Sequence, residues 1–106
     1  MPKFLIQGSY TFEGLKGLQK DKASGRKAAV SAAAEAAGGK LDAIYYCLGQ
    51  DDVIVIVDLP DAVAATALSV TASASGLVHT KTTALLTVEE ADRALAKSIS
   101  YRPPGR

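Results

Sequence analysis

Five consecutive apolar residues, Val53, Ile54, Val55, Ile56 and Val57, constrain the fold of this chain more than any other feature. The run lies between Gly49-Gln50-Asp51 and Pro60-Asp61, so it reads as a strand from Asp52 to Asp58 bounded by turn residues. Successive side chains of a strand point to opposite faces of the sheet, so both faces here are apolar. A sheet with helices on one side needs only one apolar face. Leaving a Val or Ile side chain wet forgoes about 1.5 to 3 kcal/mol of burial. The preceding strand, Lys40 to Leu48, repeats the pattern, with Tyr45 and Cys47 on one parity and Ile44, Tyr46 and Leu48 on the other. Something must cover the second face. Either the final helix folds over it, or a second copy of the chain does, and sheet-on-sheet homo-oligomerisation is the expectation.

The three residues between these strands give an antiparallel hairpin. Ahead of it, Lys3 to Tyr10 forms a first strand. Thr11 then caps a short helix holding Leu15 and Leu18, which Gly14 and Gly17 weaken by about 1 kcal/mol each. The polar segment Gln19 to Gly25 predicts a break. Ser24 or Gly25 starts a stronger helix, RKAAVSAAAEAA, which ends at Gly38 and Gly39. After the hairpin, Pro60 and Asp61 open a helix in which Val63, Ala67 and Val70 share a face with Ala64 and Leu68, and Gly76 closes it. Leu77 to Leu86 is a fourth strand, and Thr87 with Glu90 forms a capping box for a last helix through Lys97. The order is βαββαβ plus one helix, the ferredoxin-like split βαβ pattern of an α+β fold. One domain over residues 1–98 with a flexible tail over 99–106 is expected.

A chain of 106 residues buries a modest share of its surface and often needs a disulfide, a metal or a partner for stability. Cys47 is the only cysteine, so it has no intramolecular partner, and one Cys with one His makes no metal cluster. No cofactor is implied, and oligomerisation is the help that remains. A net charge of +1 points to neither nucleic acid nor an anionic membrane. No stretch reaches the apolar length of a membrane span or a secretion signal, so a cytoplasmic protein is expected.

The segments FLIQGSYTFEG, RKAAVSAAAEAAGGKL, GQDDVIVIVDLPDA and HTKTTALLTVEEAD together resemble small bacterial GYD-domain proteins, a family named for a Gly-Tyr-Asp motif and generally without an assigned activity. The resemblance covers nearly the whole chain and implies a ferredoxin-like fold that assembles as a dimeric α/β barrel. The chain departs from the motif in having Asp51 before Asp52, with Gly49 and Gln50 ahead. No role of a tyrosine ring carries over to that position.

In this topology the first and fourth strands are neighbours. Gln7 and Ser9 on one parity of the first can then meet His79, Lys81 and Thr83 on one parity of the fourth. The opposite parity, Phe4 and Ile6 with Val78, Thr80, Ala84 and Leu86, suits packing under helices. A cavity lined by Gln7, Ser9, Tyr45, His79 and Lys81 results if a partner covers the polar face. His79, the only histidine, suits proton transfer, although a lone strand histidine is more often a hydrogen-bonded structural group. Lys81 can bind an anion or pair with a carboxylate, and Cys47 reads as a small hydrophobe. Asp51 and Asp52 can chelate a cation or act as an acid/base pair, but adjacent hairpin acids read as solvated turn residues. The cluster Lys16, Lys20, Lys22, Arg26 and Lys27, beside free N–H groups at Ser24 and Gly25, can favour anions, yet it matches no phosphate loop and reads as a solvated helix face.

Three function classes fit these residues. The first is a homo-oligomeric small-molecule binding or sensing module. The second is a small cofactor-independent oxygenase or isomerase using His79, which rests on fold analogy. The third is an assembly protein whose product is the oligomer.

Overall fold

Strict alternation in the first strand decides how the layers stack. The computed structural model describes residues 1–106 as β1 (Lys3–Tyr10), α1 (Phe12–Ala36), β2 (Lys40–Tyr46), β3 (Val53–Asp58), α2 (Ala62–Ala74), β4 (Val78–Leu85) and α3 (Val88–Leu95). The four strands form one antiparallel sheet in the order β2-β3-β1-β4, the connectivity expected from the sequence. On one face, Phe4 and Ile6 of β1 lie beside Val57 and Val55 of β3, and α1 and α2 cover them. The buried core consists of these four with Val53, Leu59, Ala34 of α1 and Ala65 of α2. Val57 and Leu59 are its fully buried larger side chains.

Helix starts follow local capping chemistry. The Thr11 side chain accepts from the Gly14 N–H, Asp61 accepts from Ala64, and Thr87 and Glu90 close a reciprocal capping box. At Gly14 the backbone of the Leu77 turn approaches so closely that a Cβ would stand 1.9 Å from the Leu77 oxygen. The glycine that weakens the helix by propensity is therefore required by packing.

Four expectations are refined or corrected. First, the break expected over 19–25 is present but confined to Lys22 at φ 66°, ψ 166°, where two helical segments meet at a kink within α1. That backbone region is essentially reserved for glycine and costs another residue about 1 to 3 kcal/mol. Second, the hairpin loop is longer than three residues, because β2 ends at Tyr46 and β3 begins at Val53. Cys47 and fully exposed Leu48 thus lie in the loop rather than on a strand face, and β2 carries a bulge between Leu41 and Ala43. Third, Val63, Ala67 and Val70 of α2 are exposed. The packed side runs through Ala64, Ala65, Leu68 and Ser69, since the small Ala65 lets the helix sit close to the sheet. Fourth, Ala84 near the far end of β4 and Leu86 just past that end are exposed.

The final helix does not seal the second sheet face. No residue of α3 is buried, and Val88 and Leu95 are 76% and 83% exposed. The chain spans 55 × 32 × 23 Å with a radius of gyration of 16.7 Å, against about 13 Å for a compact domain of this size. No helix is long and apolar enough to cross a membrane.

Candidate functional site

On the open sheet face, β1 presents Leu5, Gln7 and Ser9. Register places Gln7 opposite both Lys81 and Ile54, Ser9 opposite His79, and Tyr45 opposite Ile54. All five residues singled out from the sequence therefore share one face. Three of them converge on a residue that was not among the five. Gln7 Nε2 donates to Asp51 Oδ2 at 2.9 Å, Ser9 Oγ donates to Asp51 Oδ1 at 3.3 Å, and Lys81 Nζ lies 3.3 Å from Asp51 Oδ1. His79 and Tyr45 are exposed beside this cluster and make no hydrogen bond to it.

Asp51 is thus not a solvated turn residue, contrary to the reading of the hairpin acids, and its side chain is only 14% exposed. The cause is its neighbour. Asp52 Oδ2 accepts from the Tyr10 N–H at 2.8 Å, the Asp52 N–H donates to the Gly8 oxygen at 2.8 Å, and the Cys47 N–H closes the loop onto the Asp52 oxygen at 2.7 Å. These bonds fold residues 47–52 against the end of β1 and bring Asp51 over Gln7 and Ser9. A signal for this was present in the sequence. Lys81 brings an ammonium with three donors and no acceptor to a face on which neither β1 nor β4 offers a carboxylate, so an acid from a neighbouring segment is its natural partner.

A second charged group lies at the other end of the face. Lys3 Nζ donates to Asp58 Oδ1 at 2.8 Å and to Asp42 Oδ2 at 3.1 Å, the bulge supplying Asp42. The hydrogen bond to buried Asp58, followed by that to Asp42, holds the Lys3 ammonium above its ordinary pKa. Between the two polar ends runs a half-buried apolar belt of Leu5, Ile54 and Ile56. Lys81 is 62% exposed and an ammonium has three N–H donors, so a cation with unused donors stands at the edge of this belt.

The basic cluster divides. Lys16, Lys20, Lys22 and Lys27 are exposed, whereas Arg26 is half-buried on the helix side of the sheet, 3.8 Å from Asp21.

Fold and site together define an α+β domain with a helix-covered face and an open face that carries a charge-compensated carboxylate. The GYD domain model matches residues 4–95, and the chain belongs to that family. Comparison with curated proteins and with solved structures returned no match.

Proposed function

We propose that the protein is a homo-oligomeric small-molecule binding or sensing module. In this reading two ferredoxin-like domains meet through their open sheet faces, in the manner of a dimeric α/β barrel, and enclose a site formed by Gln7, Ser9, Tyr45, His79 and Lys81 around Asp51. The observation that carries it is the meeting of Gln7, Ser9 and Lys81 on Asp51 beside a belt of Leu5, Ile54 and Ile56 that the chain itself leaves uncovered. Polar groups converging at the margin of an apolar surface suit a small-molecule site once that surface is enclosed. Asp51 orients Lys81, and the unused donors of Lys81, with His79 and Ser9 beside it, receive the ligand's polar end.

A thermal-shift screen of metabolites followed by titration of the best hit is the test. Lys81→Ala and His79→Ala should each weaken binding at least tenfold while leaving the fold intact. Unchanged affinity in both variants contradicts this placement. The position of His79 opposite Ser9 favours a second reading, a cofactor-independent enzyme in which His79 moves a proton. Turnover of a bound compound that is lost in His79→Ala would select that reading.

A further inference from the structure

We propose a second binding site on the opposite side of the sheet, between α1 and α2, that takes a small hydrophobic carboxylic acid. Its apolar body would fill a chamber floored by Ile6 and Val55, and its carboxylate would meet Arg26.

The chamber follows from side-chain size. The inward sides of the helices carry Ala29, Ala33 and Ala72, and Gly8 lies on the sheet beneath them, so short side chains leave the space between the layers unfilled. The resulting cavity is about 130 Å³ and is lined by sixteen residues, twelve of them hydrophobic. Interiors are normally close-packed, and an apolar void of about 150 Å³ is enough to hold benzene. A body of about six carbon atoms matches this volume.

The polar groups of the lining are not equivalent. The Ser69 hydroxyl is bonded to that of Thr82, and the Thr80 hydroxyl to that of Ser73 at 2.9 Å, so both are already satisfied. Arg26 is the one cation of the lining and offers five N–H donors, with only the loose 3.8 Å contact to Asp21 for company. It also lines an adjoining cleft of about 270 Å³, together with Tyr10, Ala72 and Val78, which line both spaces. The guanidinium therefore stands where the apolar chamber opens outward. Tyr10 lines both spaces with it, and Tyr46 lies near enough to feel its charge. Burial pushes the Tyr46 phenol up to about 12, the Tyr10 phenol adds to this, and Arg26 opposes it. Tyr46 is thus protonated at neutral pH, and the guanidinium beside it gives this end a donor-rich character suited to a carboxylate. Asp21 is the acidic competitor that a ligand displaces.

Titration of the full-length protein with benzoate, hexanoate and benzyl alcohol, followed by amide chemical shifts, tests the proposal. Shifts should cluster at Ile6, Val30, Val55 and Leu68, with at least one acid binding tenfold or more tighter than the neutral alcohol. The stronger acid tells an aromatic from an aliphatic body. Arg26→Gln should reduce the acid to the affinity of the alcohol and leave the alcohol unchanged. Ala72→Leu, or Ala33→Leu if the first fails to fold, should abolish binding of both while raising the melting temperature. Lys81→Ala should have no effect, which separates this site from the one on the open face. Absence of binding by all three probes, shifts centred on Asp51 and Lys81, or equal affinity for benzoate, hexanoate and benzyl alcohol would overturn it.

Discussion

Replacing Asp51 with alanine tests whether the hairpin loop is built onto the sheet through that carboxylate. Two neutral donors reach a side chain only 14% exposed, Gln7 at 2.9 Å and Ser9 at 3.3 Å. Hydrogen bonds to charged groups contribute about 1.5 to 3 kcal/mol each, but the Ser9 hydroxyl is shared with the Gln50 oxygen at 3.2 Å, so its long contact to Asp51 falls below that range and the two together contribute about 2 kcal/mol. Lys81 is 62% exposed, so its ion pair with Asp51 adds less than about 1 kcal/mol. The sum is about 2.5 kcal/mol. For a domain of this size about 4 °C accompanies each kcal/mol, which gives a fall in Tm of about 10 °C. Circular-dichroism melts at one fixed protein concentration measure it, since an oligomer's Tm depends on concentration. A double-mutant cycle should assign about 1 kcal/mol of coupling to Gln7 with Asp51 and less to Lys81 with Asp51. A Tm for Asp51→Ala within about 2 °C of wild type, with no coupling to Gln7, would refute the reasoning and return Asp51 to the status of a solvated turn residue.

Three further outcomes follow from the fold. Gly14→Ala should destabilise the domain by about 1 to 3 kcal/mol in urea unfolding, because the added Cβ meets backbone at Leu77 that has no free rotamer to give way; a gain in stability would mean that the approach is looser than described. Lys22→Gly should stabilise it by about 1 kcal/mol, the relief of the left-handed backbone less the entropic cost of glycine, and a loss would place the break in α1 elsewhere. One of the four tyrosines should ionise only near pH 12 in an ultraviolet absorbance titration, and Tyr46→Phe should remove that step. Because the folded state holds this proton more tightly than the unfolded state does, the associated stability is complete below pH 10 and is lost as pH rises from 10 toward 12; a stability profile over that range that Tyr46→Phe does not alter would contradict it.

Much of the architecture was legible in the sequence because it rests on local rules. The two-sided apolar strand, the caps at Thr11, Asp61 and Thr87, and the alternation of Gln7 and Ser9 each depend on neighbours along the chain, and the structure keeps all of them. What escaped depends on contacts between distant segments. Asp51 is drawn inward by bonds that its neighbour Asp52 makes to Gly8 and Tyr10, more than forty positions away. The outward turn of Val63 and Val70 is set by how closely Ala65 approaches the sheet, which periodicity does not specify. The break within residues 19–25 was legible from their polar character, and the structure narrows it to Lys22. Arg26 looked like any other member of a basic helix face, and only the packing of two alanine-rich helices over Gly8 shows that it borders a void.

The central claim is that the open face around Leu5, Ile54 and Ile56 is covered by a second copy of the chain. Light scattering after gel filtration of the full chain at micromolar concentration tests it most directly. The expected mass is an integral multiple, two or more, of the 11.0 kDa protomer, and Ile54→Lys, which places a charge in the middle of the belt, should return it to the protomer mass with its circular-dichroism spectrum retained. A well-folded wild-type protein eluting at 11.0 kDa, or an Ile54→Lys variant that stays oligomeric, would contradict the claim.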